Sequence, residues 1–328
     1  IAYGESLGRT AKFPRNAMAF KWTDETAETT LKEIEWSASR TGLINPVAIF
    51  EPVELEGTKV SRASVHNISI MESLKLGIGD TIKVFKANMI IPQIAENITQ
   101  SGTVRIPEVC PVCGGKTRIS DVNVKSLYCD NEQCQAKHIK SFALLASRDA
   151  LNIDGLSEAT LEKFIQKGFL KKRGDIFRIS RYKDEITAME GFGEKSYNNL
   201  IEALEKAKDT DLVRVIYGLG IDNVGLSTAR LIVNKLNNDP EAVLNATADE
   251  LTDIDGIGEV IAEAFVEYFK NEDKKDEYLD ILSEVNIKEA ENAQTTEELA
   301  GKTFVITGNV NHFANRNELK ALIESMGG

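Results

Sequence analysis

The 328-residue sequence predicts a multidomain α+β chain: a small β-barrel, a four-cysteine zinc module, an all-α array of helical hairpins and the opening of a truncated α/β unit. Three observations carry this. Short apolar runs cut by turn residues fill the first third, four cysteines stand together in the middle, and one Ile-Asp-Gly-like phrase recurs four times where the apolar period is helical.

Residues 1–22 are rich in Gly, Arg and Lys and end in Ala17-Met18-Ala19-Phe20, a run that predicts a strand with Lys21 at its end. From Ile34 to about Ile98, runs such as Ala48-Ile49-Phe50, Val53-Glu54-Leu55, Thr81 to Phe85 and Met89-Ile90-Ile91 alternate with Gly42, Asn45-Pro46, Glu56-Gly57 and Gly77 to Asp80. Strands at that spacing make a small antiparallel barrel or sandwich.

Cys110, Cys113, Cys129 and Cys134 are the only cysteines, in the pattern C-x2-C-x15-C-x4-C. Two close pairs across a short excursion suit the corners of a tetrahedron, the geometry Zn²⁺ accepts, and Pro111 and Gly114-Gly115 let the first knuckle bend. Two disulfides or four unrelated buried thiols are the alternatives, and disulfides fit poorly with the cytoplasmic setting that the missing signal-peptide pattern suggests. Four thiolates leave no open coordination position, so the expected role is structural. A segment this small usually needs its metal to fold.

From Ile139 to about Ile287 the face residues follow a helical period, as in Leu161, Phe164, Ile165 and Leu200, Ile201, Leu204. The repeated phrase reads Ile153-Asp154-Gly155-Leu156-Ser157, Met189-Glu190-Gly191-Phe192-Gly193, Ile221-Asp222-Asn223-Val224-Gly225 and Ile254-Asp255-Gly256-Ile257-Gly258, at spacings of 36, 32 and 33 residues. Each copy precedes an apolar-periodic helix. Glycine there permits positive φ and close approach, and loop amides beside a helix N-terminus are donors for a phosphate oxygen. This is the helix-hairpin-helix pattern, which grips duplex backbone without reading bases; a purely structural helical array is the alternative. Gly155, Gly191, Gly193 and Gly225 are the expected DNA-facing positions.

The net charge of -12 hides an asymmetry. Residues 239–298 hold nineteen acidic and four basic residues, whereas residues 137–183 hold eleven basic and five acidic ones. Phosphate binding needs local cations rather than a high isoelectric point. The first two hairpins are therefore expected to dominate DNA binding, and the fourth to pack rather than bind. No apolar run is long enough to cross a bilayer, so no membrane partner is expected. Lys288 to Glu298 reads as a linker, Lys302 to Gly308 as a buried strand and Asn317 to Met326 as a helix, too little to bury a core alone.

The order of modules resembles the bacterial NAD⁺-dependent DNA ligases along almost the whole chain. Leu7 to Arg15 with Ala19-Phe20-Lys21 is similar to the end of that family's adenylation domain. Arg40-Thr41-Gly42, Pro46-Val47-Ala48 and Arg62 to Asn67 resemble its oligonucleotide-binding (OB) barrel, Ser147-Arg148 with Ile153 to Leu156 its first hairpin, and Gly301 to Gly308 the opening of a BRCT domain. The resemblance divides the chain into residues 1–27 (end of the adenylation domain), 28–106 (OB-fold), 107–138 (zinc finger), 139–288 (helix-hairpin-helix), 289–300 (linker) and 301–328 (start of BRCT).

The resemblance also implies roles. Such ligases move AMP from NAD⁺ to a lysine, then to the 5′-phosphate of a nick, and expel it with the 3′-hydroxyl, using Mg²⁺ or Mn²⁺. Lys21 matches the lysine that contacts the adenylate phosphate, a catalytic and cofactor-binding role. Arg40 and Thr41 match barrel residues near the nick, and Ile90 and Ile91 an apolar pair that enters the minor groove. Three places depart from the family pattern: Asn16 with Trp22, Asn88-Met89, and Gln135-Ala136-Lys137 after the last cysteine. No K-x-D-G tetrapeptide occurs here, so the nucleophile and the nicotinamide-binding part are expected outside this chain, which alone should not self-adenylate. The partner implied is nicked duplex DNA, bound by a monomer in the cytoplasm at the nucleoid. The alternative function is a non-catalytic clamp that recognises nicks or junctions; Lys21 in its motif separates the two, since a clamp has no need of it.

Overall fold

The computed structural model describes residues 2–9, 13–18, 24–122, 124–288, 298–299, 301–308, 310, 312–313 and 316–327. The chain forms two compact units, Ile1–His138 and Ile139–Gly328.

In the first unit a short helix α1 (Ala2–Ser6) precedes strands β1 (Ala27–Ala38), β2 (Leu43–Leu55), β3 (Thr58–Ser64), β4 (Thr81–Ala87) and β5 (Ile91–Asn97). Their order is β1-β4-β5-β3-β2, and β1 also pairs with β2, which closes a five-stranded barrel. Closure gives each of the five strands a neighbour on both sides, except that β3 does not reach Leu43 and Ile44 at the start of β2. All pairings are antiparallel except the short parallel contact of β3 with β5 at Ser64 and Gln93. Alternation puts Ile44, Pro46, Ala48 and Phe50 of β2 inside, with Leu31, Ile34, Ala63, Ile82 and Val84 opposite. Helix α2 (Ile68–Ser73) joins β3 to β4 and is capped by Asn67, whose Oδ1 accepts from the Ile70 amide at 3.0 Å.

Two sequence expectations change here. Asn45-Pro46 is no turn: β2 runs through it, because Pro46 lacks a donor but fills the barrel interior and accepts from the Val65 amide at 3.1 Å. The β1–β2 turn instead lies at Arg40 to Gly42, where Gly42 takes φ +82°. Met89 and Ile90 are also not strand residues. Asn88 (φ +54°) and Met89 (φ +62°) form a tight turn closed by the Ile90 amide on the Ala87 carbonyl at 3.2 Å.

The cysteine region adds β6 (Thr117–Ser120) and β7 (Ser126–Cys129), a hairpin the sequence reading lacked. β7 pairs with the start of β2, Leu43 with Tyr128 and Ile44 with Leu127, so the small module extends the barrel sheet. Helix α3 (Gln135–Ala146) carries the chain into the second unit.

That unit holds α4 (Glu158–Gln166), a 3₁₀ stretch Arg173–Tyr182, α5 (Lys183–Thr187), α6 (Glu194–Lys208), α7 (Leu212–Leu219), α8 (Leu226–Lys235), α9 (Pro240–Asn245), α10 (Ala248–Thr252), α11 (Glu259–Lys270) and α12 (Glu272–Glu284). One core unites them, including Phe142, Leu161, Phe164, Leu200, Ile216, Ile232, Phe265 and Tyr278. Short strands β8 (Asp209–Thr210) and β9 (Asn286–Ile287) pair in parallel and tie the end of α6 to the end of α12.

Of the terminal α/β expectation, helix α13 (Arg316–Ser325) forms, but residues 302–307 are not a strand. A strand needs an edge to pair with, and among the described residues none lies beside this segment. Most of the expected linker falls at 289–297, outside the described residues, as do Ala19 and Phe20 of the expected first strand.

Candidate nucleic-acid interface and metal centre

The four thiols converge. Their sulfur atoms all lie within 4.8 Å of one another, with Cys110 to Cys134 at 3.9 Å and Cys113 to Cys129 at 3.6 Å. Four sulfurs about 2.3 Å from one Zn²⁺ stand about 3.8 Å apart in a tetrahedron, whereas a disulfide needs about 2.05 Å. The spacing fits a four-thiolate metal site and not two disulfides, and all four cysteines are free. Backbone prepares the site: the Gly115 amide donates to Cys113 Sγ at 3.4 Å and, as the largest influence, lowers that thiol to about 6. Burial pushes the Cys129 thiol up to about 12 and raises Cys134. A cation is what lets such buried sulfurs all ionise. Among the described residues this is the only cluster of metal-ligating side chains.

The four repeats adopt one geometry. The third residue of each phrase has positive φ: Gly155 +90°, Gly191 +84°, Asn223 +63° and Gly256 +90°. Asparagine tolerates this conformation better than most side chains, which accounts for the looser third copy. The next residue anchors the turn, with Leu156, Val224 and Ile257 buried and Phe192 half-buried. The turn closes on itself in the last three copies, Phe192 amide to Met189 carbonyl (3.0 Å), Val224 to Ile221 (3.1 Å) and Ile257 to Ile254 (3.0 Å). The fifth residue is the helix N-cap in every copy: Ser157, Gly193, Gly225 and Gly258, all extended.

The caps are where the copies differ. Ser157 Oγ accepts from the Thr160 amide at 3.2 Å, so the first helix satisfies one of its own end donors. The three glycine caps bring no side chain, and the amides that open α6, α8 and α11 are left without that partner. Glycine at Gly193 and Gly225 thus serves by its bareness and not by positive φ, since both are extended, at −145° and −83°.

Gly155, Gly191, Gly193 and Gly225 are all exposed. So are Gly256 and Gly258, against the expectation that the fourth hairpin packs: only Ile257 between them is buried. Charge sets that hairpin apart. Glu190 and Glu194 of the second copy stand where Asp255 and Glu259 do in the fourth, but the second has Lys195 where the fourth has Val260, and Lys163 donates to the Glu190 carbonyl at 3.2 Å. The basic stretch also supplies fewer free cations than its count suggests. Arg173 is buried on Glu277, and Arg178 is tied to Asp175, Asp280 and Glu284.

On the barrel, Arg40 and Thr41 form the tip of the β1–β2 turn, with Ser39 Oγ 3.1 Å from Thr41 Oγ1 and the Gly42 amide donating to the Ser39 carbonyl at 3.0 Å. Ile90 and Ile91 are 76% and 53% exposed at the β4–β5 turn, beside Met89 at 72%, an apolar tip that the barrel core does not use. Lys21 lies outside the described residues. The sequence reading missed Asn223 as the third positive-φ position and the buried role of Arg173; the regular register of the repeats was a signal for the first, and nothing local signalled the second.

Residues 28–105 match the family described as the NAD-dependent DNA ligase OB-fold domain. Residues 147–206 match a SAM-like helix-hairpin-helix tandem and residues 214–277 the helix-hairpin-helix motif. The chain is 63% identical over 329 residues to a protein of Lachnoclostridium phytofermentans named DNA ligase, covering 100% of this chain and 50% of that one. It is 59% identical to a DNA ligase of Ruminiclostridium cellulolyticum, with the same coverage, and 41% identical to one of Thermosipho africanus, covering 99% of this chain and 49% of that one. The chain thus spans about half the length of the curated relatives it matches.

Proposed function

We propose a function from one premise: the chain belongs to the bacterial NAD-dependent DNA ligases, as a C-terminal portion of such a protein. The whole protein seals nicks in duplex DNA, joining a 3′-hydroxyl to an adjacent 5′-phosphate, and this portion holds the duplex while it does so. NAD⁺ supplies the AMP that activates the 5′-phosphate, with Mg²⁺ or Mn²⁺ balancing phosphoryl charge. Both enter through the family and not through described side chains. Zn²⁺ at Cys110, Cys113, Cys129 and Cys134 is a structural ion of the barrel unit. The expected domain divisions, including a BRCT opening at residues 301–328, belong to the same reading.

One observation carries the duplex-holding role: a positive-φ turn and a bare glycine cap repeat with exposed, uncapped helix N-termini at Gly193, Gly225 and Gly258. Amides at such ends, foremost at Gly193 with Lys195 and Lys163 near it, meet phosphates and no base edges, so affinity should ignore sequence and fall steeply with salt. On the barrel, Arg40 offers a charged fork to phosphate and Thr41 a hydroxyl, while Ile90 and Ile91 offer an apolar wedge to the minor groove. Titrating labelled nicked duplexes of unrelated sequence across a salt series tests this. Equal affinities with a steep log–log slope are expected; a flat salt response, or a strong preference for one sequence, sinks it.

A further inference from the structure

Gly42 cannot carry a side chain. Besides its φ of +82°, a Cβ placed on it would fall onto Lys137 Cε, 3.0 Å from Lys137 Nζ and 3.1 Å from the Cys129 carbonyl. Residues 95 positions apart in sequence thus meet at the β1–β2 turn, and the lysine stem lies across the bare backbone there. The Cys129 amide donates to the Gly42 carbonyl at 2.8 Å, so a metal ligand itself is bonded to the turn. Lys137 is fixed from the other side as well. Its own backbone amide, with that of Ala136, donates to the Cys134 sulfur.

The ammonium is the part left over. Lys137 is half-buried, and among the described residues its Nζ has neither an ion pair nor a hydrogen-bond acceptor. A half-buried cation has given up some hydration without gaining a counter-charge, which makes it a good donor for an incoming anion. It lies over the turn that carries Arg40 and Thr41.

We propose that Lys137 is a further backbone-phosphate contact for duplex DNA, held across the Arg40-Thr41-Gly42 turn by the cysteine cluster. The inference rests on the duplex-holding reading above. The metal centre then does more than fold a small module. It fixes one lysine and one turn against each other, so that Lys137 and Arg40 present charge to one stretch of phosphate backbone.

The test uses the full chain with its metal, titrating nicked duplex from about 0.05 to 0.5 M salt. Lys137→Met keeps the stem over Gly42 and removes the charge; Lys137→Arg keeps the charge. One lost phosphate contact lowers the log–log salt slope by about 0.9 and weakens binding about eightfold at 0.1 M, shrinking toward no difference near 1 M. Lys137→Arg should bind as the parent does, and metal content and melting temperature should hold in both variants. A Lys137→Met chain with unchanged slope and affinity, beside a parent that binds steeply with salt, overturns this proposal alone. A parent chain that does not bind duplex at all overturns the duplex-holding reading and this inference with it.

Discussion

Arg173 and Glu277, 104 residues apart, form a buried two-pronged pair, with Nε to Oε1 at 2.8 Å and Nη2 to Oε2 at 2.6 Å. The same guanidinium donates to the carbonyls of Gly218 and Leu219 at the end of α7 and to the Tyr268 hydroxyl of α11. Burial works against its charge, but the Glu277 bonds outweigh it and hold the guanidinium pKa above its ordinary value. One side chain therefore locks together the 3₁₀ stretch, the helix before the third hairpin and the helices after the fourth. Arg173→Met leaves Glu277 unpaired and two carbonyls without their donor, and should cost about 3–5 kcal/mol in urea unfolding. Arg173→Met with Glu277→Leu should recover much of that loss. A single variant within 1 kcal/mol of the parent, on the order of an exposed pair, would show that the lock is idle.

Asp80 and Asn97 do for the barrel what Arg173 does for the helices. Both are buried, and Asn97 Nδ2 donates to Asp80 Oδ2 at 2.7 Å and to the Leu74 and Lys75 carbonyls at 3.0 Å. Burial raises the Asp80 pKa, but hydrogen bonds from Ser101 and Asn97 outweigh it, and the net shift is downward. A depressed folded-state pKa means stability is fully present above the unfolded value near about 3.9 and is lost as pH falls through the lower folded value. Asp80→Asn should lose about 1–3 kcal/mol at neutral pH, by turning an acceptor toward Asn97 into a second amide. It should also remove part of the acid-side slope. Unfolding midpoints from pH 7 down to pH 2.5 test it, and parallel curves for parent and variant would contradict the linkage.

For the cysteine cluster, the purified chain should hold one Zn²⁺ and show no thiol reactive to an aromatic disulfide until a chelator or denaturant is added. Removing the metal should release all four thiols and loosen β6, β7 and the Gly42 turn, since Cys129 is bonded to that turn. Metal analysis with thiol titration reads this. Four freely reactive thiols in folded, metal-free protein would rule the site out.

Local patterns were readable where one residue type has one physical use. The C-x2-C-x15-C-x4-C spacing announced convergence, and the structure brings those sulfurs together. The Gly-centred phrase announced four hairpins, and the structure repeats one turn at Gly155, Gly191, Asn223 and Gly256. Failures came where neighbours distant in sequence decide. Pro46 reads as a turn residue until β1 and β3 enclose it within β2. Thr117–Ser120 and Ser126–Cys129 lack a strong apolar period, and become strands because the start of β2, beyond the reach of β3, pairs with β7 at Leu43 and Ile44 and β7 pairs with β6. Arg173 and Arg178 look like phosphate-binding cations until α12 supplies their carboxylates. Nothing in the sequence signals that Gly42, Lys137 and Cys129 meet.

The second and fourth hairpins share a backbone but not an environment, and an N-cap substitution separates what each contributes. Neither Gly193 nor Gly258 has positive φ, and a Cβ at either meets open space, so a side chain fits both without strain. Aspartate there would accept from the bare amides opening α6 or α11 and favour the helix dipole, stabilising each chain by about 0.5–1 kcal/mol. At Gly193 the same carboxylate takes the donors a phosphate would use, beside Lys195 and near Lys163. Gly193→Asp should therefore raise the melting temperature while weakening nicked-duplex binding by about 1–3 kcal/mol. At Gly258, Asp255 and Glu259 match Glu190 and Glu194 of the second copy but Val260 stands in place of Lys195, so Gly258→Asp should give the same thermal gain and leave affinity within about twofold. Melting curves and duplex titrations on the two variants decide it. Equal losses of affinity at both would mean that the missing lysine does not silence the fourth hairpin, and that all uncapped helix ends share the duplex alike.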